Sequence, residues 1–151
     1  MSLEKQIIPA IKDAMRNKDR IMLEVLRGIK SEIIKFKTSA NGKQELNSNQ
    51  EIGIIKKMIK QRKESALIYS NQNRSDLADI ENSQLNILMD FLPEQMNEED
   101  ITNYIKKIVL ENDYSDLKDF GKIMSKAMND LSSKADGKLI SSVVKKIINK
   151  N

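Results

Sequence analysis

Lysine and arginine residues cluster in two segments whose spacing suits the binding of phosphate groups. In the first segment, five of the eight residues 56–63 are basic, and Lys56, Lys60 and Lys63 follow the i, i+4, i+7 spacing that places side chains on one helix face. Lysine binds phosphate as a point charge, and affinity from such contacts falls as salt rises. This segment predicts a phosphate-binding face, with an ordinary solvated face as the alternative.

The second basic segment lies near the end of the chain. It contains one acidic residue, Asp136, among five lysines: Lys134, Lys138, Lys145, Lys146 and Lys150. Cations near a helix C-terminus are also stabilised by the helix dipole, so a purely structural role is the alternative to nucleic-acid binding. Aromatic residues make up only 4% of the chain, which argues against domains that stack single-stranded bases. RNA bound here would be recognised through its shape and backbone.

Residues for catalysis are scarce. The chain has no histidine and no cysteine, which excludes disulfide scaffolds, zinc fingers, thiol nucleophiles and histidine bases. Its five glycines stand alone, so no glycine-rich phosphate loop is present. Asn97 with Asp100 three residues later resembles a capping box, so the acidic run 98–100 is interpreted as a helix cap. We therefore expect no metal site and no cofactor, and the sequence identifies no catalytic residue.

Net charge and hydropathy indicate which partners and which cellular compartment to expect for the chain. Its net charge is +4, from 26 basic and 22 acidic residues. This charge suits an acidic partner, but a composition rich in Ile, Lys and Asn, which have AT-rich codons, is the alternative cause, so only the local basic clusters argue for a nucleic-acid site. The longest apolar runs are far shorter than the ~18 residues that cross a bilayer. Glu4, Asp13 and Asp19 interrupt any N-terminal targeting segment. We expect a cytoplasmic protein without a membrane partner.

Apolar residues recur every three or four positions, which predicts an all-α protein of about seven helices. Pro9 predicts a kink or a late start in the first helix, and the polar stretch 38–50 predicts a long mobile loop. The predicted helices cover about 2–16, 19–37, 48–70, 75–91, 97–110, 117–131 and, from just after Gly137, to 149.

Pro93 marks the predicted domain boundary, because the residue before a proline avoids the helical region. An N-terminal domain of helical hairpins would cover 1–95, and a three-helix domain would cover 96–151. Gly121 is expected to let two helices approach closely. The fourth helix is expected to bury its apolar residues: Leu77, Ile80, Leu85, Leu88 and Phe91.

Several short motifs resemble the YqeY-like proteins over nearly the whole chain. They are Met15, Lys18-Asp19, Leu26-Arg27, the 60–65 run, Asn73-Arg74-Ser75-Asp76-Leu77, Phe91-Leu92-Pro93, Gly121-Lys122-Ile123-Met124 and Ala135-Asp136-Gly137-Lys138. The resemblance implies that the C-terminal domain is similar to the tail of the B subunit of the glutamine-dependent Asp/Glu-tRNA amidotransferase, where the tail helps to hold tRNA. The sequence departs from the family pattern at Asn73, where glycine is usual, and at Gln84, where an acidic residue is usual.

The resemblance implies an accessory protein without chemistry of its own. Its partners would be tRNA, or a complex of tRNA with an amidotransferase or an aminoacyl-tRNA synthetase. One alternative is a carbon–nitrogen ligase or amidase-type enzyme or subunit with glutamine as amide donor. Another is a protein-interaction adaptor whose basic helix faces meet an acidic partner.

Overall fold

The computed structural model describes residues 2–39 and 45–149, and within them the chain is all-α, as predicted. Seven α-helices and one short 3₁₀ turn at Leu117–Asp119 account for the regular structure of these two ranges. The helices are α1 (Leu3–Arg16), α2 (Arg20–Ser39), α3 (Ser48–Asn71), α4 (Ser75–Met89), α5 (Glu98–Glu111), α6 (Phe120–Leu131) and α7 (Gly137–Asn149). The predicted 38–50 loop is shorter than expected, because α2 continues to Ser39 and α3 begins at Ser48; its residues 40–44 lie outside the described part.

The chain divides into two compact units, Met1–Leu92 and Pro93–Asn151. The first contains α1 to α4, and the second contains α5 to α7. Each has its own cluster of buried aliphatic side chains. Independent folding of a domain over 96–151 stays a prediction.

In the first unit, α1 is one continuous helix despite Pro9, so the expected late start is wrong. The Ser2 hydroxyl accepts a hydrogen bond from the Lys5 N–H at 3.4 Å and caps the helix. Pro9 leaves the carbonyl of Lys5 without its usual helical donor, but both residues lie on the exposed side, where water can replace it. Burial of Ile7 against α2 then holds the helix in place.

The buried core of this unit is built mainly by α1, α2 and α3, with Leu88 from α4. Leu26, Ile29 and Ile55 are fully buried within it. Gly28 packs closely, since a Cβ added at this position would lie 3.1 Å from the Met58 methyl group. Glycine lowers the helix propensity of α2 at this position, but its lack of a side chain leaves room for a tight contact between α2 and α3.

Two polar groups of the first unit have buried atoms without a partner among the described residues. Gln84 is 3% exposed; its Nε2 donates to Glu24 Oε2 at 3.1 Å, and its Oε1 is the unpartnered atom. Arg62 donates to Glu81 at 3.3 Å, while its Nε is the second unpartnered atom. A carboxamide at position 84 can donate to Glu24, whereas an acidic residue there would face it with like charge.

The second unit begins with the predicted capping box. Asn97 accepts from the Asp100 N–H at 2.8 Å, and Asp100 accepts from the Asn97 N–H at 3.4 Å. The N–H of Met96 donates to the carbonyl of Lys134 at 2.8 Å and ties the start of α5 to the α6–α7 turn. Ile101, Ile123 and Ile140, one from each helix of this unit, are fully buried.

Two expectations about the helices are wrong, and one helix end differs by two residues. The fourth helix ends at Met89 rather than Phe91, and Ile80 is 44% exposed. The buried stripe of α4 passes instead through Ala78, Gln84 and Leu88. A Cβ added at Gly121 would have no described neighbour within 4 Å, so this glycine marks no close approach of helices.

Candidate nucleic-acid interface

Helix α7 is amphipathic, and its two faces have different roles. The apolar face buries Ile140, Val143, Val144 and Ile148 in the core of the second unit. At the start of the helix, the carboxylate of Asp136 accepts from the Lys138 N–H at 3.4 Å. Burial of the apolar stripe fixes the rotation of the helix, so the polar side chains of the other face point to solvent.

This polar face, which we call the α7 face, lines a shallow, open depression. Its residues are Gly137, Lys138, Ser141, Ser142, Lys145, Lys146 and Asn149. The three lysines are exposed, and among the described residues no acidic side chain lines the depression. The face therefore offers three cationic groups and two hydroxyl donors over about two and a half helical turns, at 3.6 residues per turn.

The lysines of the α7 face differ in their partners. The Nζ of Lys146 lies 2.9 Å from Glu98 Oε1 on α5, so its charge is partly compensated. Lys138 and Lys145 make no ion pair with any described residue. Exposed ion pairs are worth at most ~1 kcal/mol, so a phosphate can compete with Glu98 for Lys146.

The remaining C-terminal lysines fall outside this depression. Lys134 is exposed in the turn before α7 but does not line it. Lys150 lies outside the described residues. The structure thus brings together three of the predicted residues, and it adds Ser141 and Ser142, which the sequence reasoning missed. Their spacing of three and four residues from Lys138 was the signal that could have identified them.

The basic segment of α3 is less open than its sequence indicates. Lys60 and Lys63 are exposed, but Lys56 is half-buried. The two neighbouring cations form ion pairs: the Nζ of Lys57 lies 3.7 Å from Glu32 Oε2, and the Nη1 of Arg62 lies 3.3 Å from Glu81 Oε2. The predicted face of three lysines therefore has only two fully exposed members.

The outer surface of α3 also carries apolar groups. Leu67, one turn beyond Lys63, is 63% exposed, and its neighbour Ile68 is 55% exposed. Aliphatic side chains offer nothing to a phosphate, so this surface suits a nucleic acid less well than the α7 face does.

Two further polar pairs lie apart from both basic segments. The Tyr104 hydroxyl donates to the Asp130 carboxylate, joining α5 to α6, and partial burial together with this hydrogen bond raises the pKa of Tyr104 to about 12. At the start of α4, Arg74 donates to both carboxylate oxygens of Asp76 at 3.1 Å. That hydrogen bonding lowers the pKa of Asp76 and raises the pKa of Arg74.

The described residues offer little for catalysis or metal binding. They contain no group of three or more acidic, histidine or cysteine side chains placed to hold a metal ion. Ser141 and Ser142 have lysines one turn away, but these lysines are solvated, whereas lysines that activate a nucleophile are desolvated. Within residues 2–39 and 45–149, no helix combines the length and apolar character needed to span a bilayer.

Comparison with known proteins indicates to which family the chain is related. A curated protein of Pyrenophora tritici-repentis, altered inheritance of mitochondria protein 41, mitochondrial, is 27% identical over 141 residues, which cover 91% of this chain and 76% of that protein. The family described as Yqey-like protein matches residues 4–148. Because this match covers nearly the whole sequence, the chain belongs to the YqeY-like family.

Proposed function

We propose that this YqeY-like protein is an accessory protein that binds tRNA, alone or in a tRNA–enzyme complex, through the α7 face. The observation that supports this proposal is the cluster of Lys138, Lys145 and Lys146 around a depression that no described acidic residue lines. The α7 face lies in the unit that resembles the tRNA-holding tail of the amidotransferase B subunit. An amidotransferase or aminoacyl-tRNA synthetase would supply the chemistry.

The expected binding is electrostatic and modest in salt dependence. Three lysines can neutralise roughly three phosphates, which gives a log-affinity against log-salt slope of about −2 to −3. Ser141 and Ser142 can donate to phosphate oxygens and position the backbone, but they read no base sequence. Recognition would therefore depend on the shape of the folded RNA.

The other functions differ in their support. No contact in the described residues favours a ligase or amidase reaction. The adaptor function has a specific observation in its favour, because Ile8 of α1 and Ile34 of α2 are exposed. Arg27 and Lys30 of α2 are exposed as well. The cytoplasmic location stays a prediction, since the name of the matched fungal protein refers to mitochondria.

The salt dependence of tRNA binding tests the proposal. The triple variant Lys138→Gln, Lys145→Gln, Lys146→Gln should reduce the slope to near zero at unchanged helicity, because exposed substitutions cost under ~0.5 kcal/mol each. The control variant Lys60→Gln, Lys63→Gln removes two exposed charges from α3 and should leave the slope unchanged.

Two results would count against the α7 face. If affinity depends only on Lys60 and Lys63, RNA binds elsewhere on the protein. If neither variant matters and the unaltered protein does not prefer tRNA over an equally charged duplex, the proposed function is wrong.

A further inference from the structure

The first two helices form an antiparallel hairpin, and an ion pair between them shows their register. The Nζ of Lys37, near the end of α2, lies 2.5 Å from Glu4 Oε2, near the start of α1. Residue 8 of α1 is therefore level with about residue 33 of α2. Ile7 and Ile33 are both buried along this interface, at 0% and 1% exposure.

The residues that follow the buried ones turn toward one side of the hairpin. Each residue along a helix is rotated by about 100° from the residue before it. Because the two right-handed helices run in opposite directions, the residue after each facing position points to the same side of the hairpin. Ile8 and Ile34 therefore lie on one surface, and Met15 joins Ile8 there because it follows seven residues later. The side chain of Arg27, seven residues before Ile34, shares that surface.

This surface, which we call the hairpin surface, is apolar and open. Ile8, Met15 and Ile34 are 47%, 55% and 50% exposed. Ile11 and Leu23 are half-buried and pack against the core of the unit. An exposed aliphatic surface that spans two helices is typical of an interaction site rather than of isolated surface residues.

The charges along α1 and α2 are unbalanced at this surface. Lys12, Arg27 and Lys30 are exposed, and none makes an ion pair with a described residue. Three of the four acidic residues of the two helices pair with cations: Glu4 with Lys37, Asp13 with Arg16, and Glu32 with Lys35 and Lys57. The fourth, Glu24, keeps its charge and accepts a hydrogen bond from the neutral side chain of Gln84 on α4, so the three unpaired cations outnumber the one unpaired carboxylate. The hairpin surface therefore combines an apolar centre with uncompensated positive charge.

We propose that the hairpin surface is a docking site for an amphipathic helix of a partner protein, with an apolar stripe flanked by Asp and Glu. A third helix can pack its stripe along the two antiparallel helices, as in helix bundles, and its carboxylates would meet Lys12, Arg27 and Lys30. A second copy of this chain fits poorly, because the same cations would face each other. A nucleic acid would leave Ile8 and Ile34 without apolar contacts.

The test uses the full chain and two synthetic helical peptides with the same leucine stripe. One peptide has glutamates beside the stripe, and the other has lysines at the same positions. Fluorescence anisotropy should show binding of the acidic peptide at least about tenfold tighter than binding of the basic peptide. The variant Ile8→Gln, Ile34→Gln should weaken acidic-peptide binding by a similar factor, and Arg27→Glu with Lys30→Glu should do the same.

Two controls separate this site from other cationic surfaces. Lys60→Glu with Lys63→Glu introduces the same charge change on α3 and should leave peptide binding within about twofold. The triple glutamine variant of the α7 face should also bind the peptide normally, so failure of this inference and failure of the proposed function are distinguishable. Circular dichroism checks that each variant keeps its helicity.

The proposal is overturned if the two peptides bind equally, or if the hairpin variants bind as well as the unaltered protein. It is equally overturned if the α3 control loses as much affinity as the hairpin variants. A last experiment measures binding of the protein to vesicles of phosphatidylcholine and phosphatidylglycerol. If these bind through Ile8 and Ile34 while the acidic peptide does not, the hairpin surface is a lipid-contact surface and not a helix-docking site.

Discussion

Helices α1, α3 and α5 are each followed by a residue with positive φ that is not glycine: Lys18 at 55°, Asn73 at 58° and Asp113 at 52°. At the end of α3, the Arg74 N–H donates to the Tyr69 carbonyl at 2.8 Å and the Asn73 N–H donates to the Ser70 carbonyl at 3.1 Å. This pair of bonds defines a Schellman cap, in which glycine is the favoured residue. This geometry suits the glycine that the family resemblance implies at this position.

Replacing Lys18 and Asn73 by glycine should stabilise the first unit by different amounts. A left-handed conformation costs an ordinary L-residue roughly 1–2 kcal/mol and asparagine less, while glycine loses more entropy on folding. We expect a net gain of ~1 kcal/mol for Lys18→Gly and ~0.5 kcal/mol for Asn73→Gly. At about 2–4 °C per kcal/mol for a chain of this size, the melting temperature should rise by about 2–4 °C and about 1–2 °C.

Thermal unfolding followed by circular dichroism measures these shifts. The matched control is Gln72→Gly, one residue earlier, where φ is −93° and glycine offers only its entropic cost. That variant should melt at a lower temperature than the unaltered protein. Destabilisation by Asn73→Gly, or a gain from Lys18→Gly no larger than that from Asn73→Gly, would refute this explanation of the helix ends.

Three further predictions concern other parts of the chain. Gly28→Ala should stabilise the protein by less than the ~1 kcal/mol that helix propensity alone predicts, because the Met58 methyl group must move to make room for the new Cβ. Chemical denaturation measures the change in the free energy of unfolding, and a full gain would contradict the close contact between Gly28 and Met58. Asp130→Asn should lower the pKa of Tyr104 from about 12 toward the ordinary value of 10.0, as read by ultraviolet titration with Tyr104→Phe for assignment. The folded protein favours the neutral phenol, so the contribution of Tyr104 to stability is complete below a pH of 10.0 and is lost as the pH rises through about 12; an unchanged titration would argue against the hydrogen bond. A fragment of residues 97–151 should be helical but marginally stable, and a fully disordered fragment would show that the chain folds as one unit.

The fold was largely predictable because its signals are local. The Asn97 and Asp100 pair predicted the start of α5, and apolar residues spaced three or four apart, such as Ile140 and Val144, predicted α7. Each of these features depends on residues within a turn or two of one another. Several helix ends differ from the prediction by one or two residues, because terminal turns are held by fewer hydrogen bonds than the helix interior.

The features that the sequence did not predict depend on contacts between residues that are distant in sequence. Ile80 shows apolar spacing, yet the face of α4 that meets the other helices passes through Gln84 instead. Arg62 lies in a basic run that suggested an exposed face, but its partner Glu81 lies 19 residues away and meets it only once α3 and α4 pair. Spacing identifies which residues share a helix face, whereas the neighbouring helix decides which face is buried.

The same distinction applies to the candidate site. Lys138, Lys145 and Lys146 share an exposed face because α7 has a single strong apolar stripe. The three predicted lysines of α3 are not equally exposed, because α3 packs against α2 and α4 over part of its length. The partner of Lys146, Glu98, could not be inferred from spacing, since 48 residues separate the two.

Lysine footprinting tests most directly whether tRNA contacts the α7 face. The full chain is acetylated briefly with and without tRNA, and the modification of each lysine is measured by mass spectrometry. We predict that tRNA protects Lys138 and Lys145 severalfold while Lys60 and Lys63 react as in the free protein. Equal reactivity of Lys138 and Lys145 with and without bound tRNA, or protection confined to Lys60 and Lys63, would contradict this contact.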